Sequence, residues 1–125
     1  MTEPRLKIFT ATVSYRGEDR LDISRGTGTG VGLLLAPSLA LLRHVLDLRM
    51  RQLMSIRRWR EFESRYAAEV APHLEEVLAE LAWHESATLC CHCREHHCHR
   101  VKAATLLAAA SNGHALYEGE RVSER

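Results

Sequence analysis

The chain has 125 residues, 46% of them apolar, and a formal net charge of +1. That length fits one domain with a modest core, and the small net charge excludes a global field that would drive the chain to nucleic acid or membranes. No run reaches the roughly 18 apolar residues of a membrane span, and no apolar leader follows polar Met1–Lys7, so a cytoplasmic location is expected.

Leu6 to Val13 (LKIFTATV) is rich in apolar and β-branched residues and predicts a first strand. A polar turn, Tyr15 to Asp19, leads to a short second strand over Arg20 to Ser24, and Arg25 to Gly32 (RGTGTGVG) is a glycine-rich loop. Pro37-Ser38 then opens a helix, with Ser38 as N-cap and Leu39, Leu42, Val45, Leu46 and Arg49 at helical spacing. Ser55 caps a further helix whose Trp59, Phe62, Tyr66 and Val70 form an amphipathic stripe. Pro72 suits the first turn of the next helix, lined by Leu74, Val77, Leu78 and Leu81. Ala87 to Cys91 predicts an apolar central strand, Arg100 to Ala110 an almost wholly apolar helix, and Asn112-Gly113 its end. Ala115 to Glu118 is the expected last strand, with a frayed tail over 118–125. Strands alternating with helices predict an α/β fold in a single domain, a small, mostly parallel sheet flanked by helices in a three-layer-like arrangement.

All four cysteines lie between Cys90 and Cys98. A secreted disulfide framework spreads its cysteines to close long loops; clustering favours metal, redox or reactive-thiol chemistry. The segment from Cys91 to Arg100 has a strand running in and a helix running out. In open α/β sheets ligands bind beyond the carboxyl ends of the strands, and the outgoing helix brings free amides and partial positive charge. Cys98 stands at that helix start, a setting that favours the thiolate, and Arg100 is suited to a bidentate grip on a carboxylate or phosphate.

Three readings follow. The segment is an anion- or nucleotide-binding site with Cys98 reactive. Alternatively, Cys91, Cys93, Cys98 and His97 bind zinc, with the right donor types in an uncommon spacing. In the third, the strand cysteines are simply buried, the better reading for Cys90, since alternation sends Cys90 and Cys91 to opposite faces.

The alternating glycines 26, 28, 30 and 32 match neither the dinucleotide fingerprint nor a phosphate-binding loop ending in Gly-Lys-Ser/Thr. They make either a loop covering a ligand or a plain surface loop, with Asp22, Ser24 and Arg25 placed to enter the same crevice. No G-x-S-x-G elbow marks a serine hydrolase. Arg49, Arg51, Arg57, Arg58, Arg60 and Arg65 make a phosphate-contacting patch or a solvated face balanced by Glu61, Glu63 and Glu69. Trp59, Phe62 and Tyr66 at this spacing are core residues rather than a base-stacking platform.

Thr88 to Cys93 followed by Cys98-His99-Arg100 resembles the "LLCYC … CHR" signature of the domain-of-unknown-function 488 (DUF488) family. Leu21 to Arg25 resembles its "D-[IV]-[ST]-R" strand end, Leu35 to Ser38 its "F-A-P-S" helix entry, and Gly113 to Glu120 its closing "G-A-x-Y-x-G-E". The resemblance covers nearly the whole chain and implies a compact α/β domain with no established reaction. It implies site roles for Asp22, Arg25, Pro37, Ser38, Cys91, Cys98, His99 and Arg100. The resulting expectation is a domain for a small anionic, nucleotide-like ligand, possessing no membrane partner. Arg25, Arg100 and Ser38 bind the ligand, and Cys98, His99 and Asp22 are catalytic, His99 carrying a proton near neutral pH. The alternative is a zinc-binding interaction module that contacts nucleic acid through Arg49 to Arg65, or a protein partner.

Overall fold

A computed structural model gives the structure of the protein and describes residues 5–92 and 98–121. The elements run β1 (Leu6–Thr12), β2 (Arg20–Asp22), α1 (Val31–Leu34), α2 (Leu39–Met50), α3 (Ile56–Val70), α4 (Leu74–Leu81), β3 (Ser86–Cys91), α5 (His99–Ala110) and β4 (Ala115–Glu120). The four strands form one parallel sheet in the order β2-β3-β1-β4. Parallel neighbours need crossovers; α1 to α4 carry the chain from β2 to β3, and α5 carries it from β3 to β4.

Period-two alternation sets the two sheet faces. Leu6 and Ile8 of β1 and Ala87, Leu89 and Cys91 of β3 join the buried residues of α2 to α5 in one apolar cluster. Thr88 faces the other way, where its hydroxyl donates to Asp19 at 2.8 Å. Cys90 and Cys91 are both buried, but only Cys91 belongs to the apolar cluster, as alternation requires. Helix α5 touches β1, β3 and β4 and also α3 and α4, burying Ala103, Ala104 and Leu107, while Val101, Thr105, Ala109 and Ala110 are exposed.

Both serine caps form: Leu41 N–H donates to Ser38 Oγ and Arg58 N–H to Ser55 Oγ, each at 3.2 Å. Trp59, Phe62, Tyr66 and Val70 are all buried. Trp59 stacks on Phe62 and Phe62 on Tyr66, and the Tyr66 hydroxyl donates to Leu35 O at 2.6 Å. The aromatic stripe is therefore core.

Three details differ from the sequence expectations. Helix α2 buries Leu41, Val45 and Leu48, while Leu39 and Leu46 are exposed. The helix carries leucines on more than one face, so two stripes fit the period equally well. The glycine-rich loop ends in a short helix, α1, and is packed on β2: a methyl at Gly32 would collide with the Asp22 carbonyl oxygen, and one at Gly28 would stand 2.6 Å from Ser24 O. Finally, β4 continues to Glu120 where a frayed tail was expected. A register shift between Ile8 and Phe9 pairs Ile8 with Tyr117 and Phe9 with Gly119, skipping Glu118, and Arg121 N–H donates to Thr10 O at 2.6 Å. The Arg121 guanidinium lies 3.7 Å above the Phe9 ring and 3.3 Å from the Asp19 carboxylate.

The packing of the loop gives a direct test. Gly32→Ala should destabilise the protein by about 1–3 kcal/mol, whereas Gly26→Ala, whose added methyl meets nothing within 4 Å, should stay within about 0.5 kcal/mol of the parent. Urea unfolding of the two variants measures the difference.

Candidate functional site

The carboxyl ends of the parallel strands form one edge of the sheet, the usual place for a ligand in an open α/β fold. Strand β3 delivers Cys91 to this edge, and α5 starts there, with Cys98 at its N-cap position and His99 and Arg100 in its first turn. Cys91 and Cys98 are joined as a disulfide. Both are almost wholly enclosed, Cys91 at 1% and Cys98 at 4% exposure.

Arg100 is buried as well, at 7% exposure. Its Nη1 donates to Cys91 Sγ at 3.2 Å. Its Nε and Nη2 grip the Glu120 carboxylate, at 3.0 and 2.8 Å from Oε1. A buried guanidinium needs such partners, because an unpaired charge out of water costs several kcal/mol or more. Glu120 also accepts from the Thr10 hydroxyl, which in turn takes a hydrogen bond from the Tyr117 hydroxyl at 2.7 Å. The register shift in β4 produces this group. Skipping one residue brings Glu120 opposite Thr10 and onto the Ile8 face, and Gly119, at φ +120°, accommodates the irregular backbone.

His99 connects the two turns expected to converge. Its Nε2 lies 2.8 Å from Ile23 O, just beyond the end of β2. A carbonyl only accepts, so Nε2 carries the proton and the unprotonated Nδ1 faces Cys98 Sγ at 3.9 Å. The Tyr66 ring meets the imidazole edge-on. Burial pushes the His99 pKa down to about 4, against a smaller opposing effect of the Ile23 hydrogen bond. The ring is thus neutral at pH 7 and does not titrate near neutrality as a proton carrier there would.

A second link ties the glycine loop to the end of β3. Thr27 Oγ1 donates to Asp22 Oδ2 at 2.6 Å and lies 2.8 Å from Nε2 of exposed His92. Asp22 also accepts from Ser24 N–H at 2.9 Å and faces Arg20 at 3.9 Å; these are its partners, rather than Arg25 or the His99 ring. Burial raises its pKa, but the hydrogen bonds from Thr27 and Ser24 and the Arg20 charge outweigh that, so the net shift is downward.

The other expected site residues hold the framework. Arg25 donates from Nε to Pro37 O at 2.8 Å and from Nη2 to Ala36 O at 3.1 Å. Ser38 caps α2 and binds the Glu69 carboxylate through N–H at 2.8 Å and Oγ at 2.5 Å. Of the expected zinc ligands, Cys91 and Cys98 come together, and His99 joins them with all donor atoms within 4.8 Å of one another; Cys93 and His97 lie outside the described residues. On the arginine face, Arg57 pairs with Glu61 at 3.5 Å, Arg51 with Asp47 at 3.9 Å, and Arg49 lies over the Trp59 ring.

Sequence reasoning missed Thr10, Tyr117, Glu120 and the Ile23 carbonyl. Tyr117 and Glu120 stand in the segment Gly113 to Glu120, which only resembles a closing motif in sequence, and Thr10 is a polar residue on the inward face of an apolar strand.

Comparison with known proteins gives a match of residues 2–111 to the family model described as the active DUF488-N3 subclade. No curated protein and no solved structure matches the chain.

The depressed His99 pKa has a thermodynamic consequence. As pH falls through the ordinary value of 6.5, the unfolded chain takes up a proton that the folded chain refuses until about pH 4. Stability should therefore fall by about 3 kcal/mol between pH 7 and pH 4. The lowered carboxyl pKa values of Asp19 and Asp22 add a loss of the same sign that begins near the foot of that window and falls mainly below it, and it is common to both proteins compared. Urea titrations of wild type and His99→Gln across this range should show the slope in the first and its loss in the second.

Proposed function

This chain belongs to the DUF488 family, in the subclade described as active, and we propose that in its reduced form it binds a small anionic, nucleotide-like ligand at Arg100 and holds it beside the Cys91 thiolate. One observation carries the reading: a single buried guanidinium grips a carboxylate with one edge and touches the Cys91 sulfur with Nη1. Glu120, whose side chain is 40% exposed, occupies the place where a ligand phosphate or carboxylate binds. A planar, bidentate grip suits either anion. The same positive charge favours the Cys91 thiolate, so anion and nucleophile are adjacent.

The remaining residues support these two. The amides that open α5 add partial positive charge at the same edge. His99, neutral and fixed through Nε2, offers Nδ1 as an acceptor for the Cys98 thiol proton. Asp22, Thr27 and His92 form the polar rim. Arg25 and Ser38 fix the entry to α2 through Pro37, Ala36 and Glu69, and so act as positioning residues.

A second reading is favoured by the spacing of Cys91, Cys98 and His99, whose donor atoms lie within 4.8 Å of one another. A histidine that gives one ring N–H to a backbone carbonyl presents its other nitrogen as metal ligands commonly do. Reduced, the three would hold zinc, in a module that contacts nucleic acid through Arg49 to Arg65. Equimolar zinc in protein purified under reducing conditions, absent from Cys98→Ala, would favour this reading; no zinc would leave the thiol site.

Calorimetry of the reduced protein with inorganic phosphate and a nucleoside monophosphate tests the main reading. Glu120→Gln should bind about ten-fold more tightly, equivalent to about 1.4 kcal/mol, and Arg100→Met should lose binding. Unchanged or weaker binding by Glu120→Gln would show that the carboxylate does not stand in for a ligand.

A further inference from the structure

We propose that Cys91 and Cys98 form a reversible dithiol–disulfide couple that hydrogen peroxide oxidises, with Cys91 as the attacking sulfur and Cys98 as the resolving one. The couple itself stands on the placement of the sulfurs; it rests on the reading of Cys91 as nucleophile only for its consequence, since the disulfide removes that nucleophile and switches the site off.

The roles follow from the neighbours. The two sulfurs are paired across the carboxyl edge of the sheet. Arg100 Nη1 donates to Cys91 Sγ at 3.2 Å, a contact that stabilises negative charge on this sulfur and assigns it the attacking role. Cys98 faces His99 Nδ1 at 3.9 Å, a nitrogen left as an acceptor because Nε2 is engaged with Ile23 O. The enclosure of both sulfurs selects the oxidant: at 1% and 4% exposure they admit a molecule the size of peroxide far more readily than a bulky disulfide. Cys90 takes no part. It lies on the opposite face of β3, and burial pushes its thiol up to about 11.

The chemistry balances. The Cys91 thiolate attacks one peroxide oxygen; the O–O bond breaks, hydroxide leaves and takes a proton to become water, and Cys91 becomes a sulfenic acid. The Cys98 sulfur then attacks the Cys91 sulfur, the S–O bond breaks, and the Cys98 proton leaves with the hydroxyl as a second water. Peroxide is reduced and the dithiol oxidised by two electrons. A small external dithiol such as dithiothreitol, rather than a bulky one, restores the couple by two thiol–disulfide exchanges and is itself left oxidised.

The test uses the full chain, reduced with dithiothreitol, freed of reductant, treated with one equivalent of hydrogen peroxide and mapped by peptide mass spectrometry. The expected product is a Cys91–Cys98 cross-link within one chain, lost again on adding dithiothreitol and unaffected by Cys90→Ser. Cys98→Ser should instead accumulate a dimedone-reactive sulfenic acid at Cys91, and Arg100→Met should slow oxidation about ten-fold. A cross-link through Cys90 or Cys93, a link between chains, or sulfinic acid at Cys91 without a cross-link would each overturn the couple; an unchanged rate in Arg100→Met would overturn the assignment of Cys91 as attacker. Phosphate binding to the reduced protein separates the two readings. A cross-link without phosphate binding removes the ligand reading and keeps the couple, and phosphate binding without the cross-link does the reverse.

Discussion

The site is organised by the buried Arg100 guanidinium. Removing this cation from water is unfavourable unless its donors find acceptors, and here they reach the Glu120 carboxylate and the Cys91 sulfur. Those acceptors come from two strands on either side of β1, and the cation comes from the helix that joins them. The requirement to pair one charge therefore fixes the start of α5, the end of β3 and the end of β4 relative to one another. It also explains why β4 does not stop at Glu118: the strand must extend, with a shifted register at Gly119, to place its carboxylate on the correct face. A site that depends on one ion pair in this way is sensitive to anything that competes for either partner, as the proposed anionic ligand would.

Around that centre the polar groups divide by depth. His99, Arg100 and the two cysteines are buried, and Thr27 and His92 are exposed. The neutral imidazole is maintained by burial and by the carbonyl it faces, so among the described residues of the inner group Arg100 is the cation that touches a thiol. That combination favours a thiolate at Cys91 more than at Cys98. Oxidised, the pair is inert toward electrophiles; reduced, it offers either a nucleophile or a metal-binding set. The proposed thiol chemistry and the proposed zinc site would draw on the same two sulfurs, and neither is compatible with the disulfide.

Much of the fold was legible in the sequence because its signals are local. The β-branched run at Leu6, the serine caps at Ser38 and Ser55, and the aromatic stripe from Trp59 each specify an element through interactions within a few residues. The convergence of the β2 turn with the Cys98-His99-Arg100 turn was legible too, because strand–turn–helix order places both at one sheet edge. The identity of Arg100's partner was not. Glu120 reaches it through a register shift in a parallel pair, and register is set by packing across the sheet rather than by neighbours in sequence. Periodicity was likewise ambiguous in α2, where leucines at 39, 42 and 46 compete with those at 41 and 48. The suppressed basicity of His99 depends on burial beneath Tyr66 and Ile23, which no spacing rule reports.

The most direct test is the reactivity of the Cys91 thiol itself, followed as its rate of alkylation by iodoacetamide in reduced protein at one pH, with Cys91 and Cys98 distinguished by peptide mass spectrometry. With Arg100 against the sulfur, Cys91 should react faster than Cys98, and Arg100→Met should remove that advantage. A Cys91 that reacts no faster than Cys98 in the wild-type protein, unchanged by Arg100→Met, would contradict the account.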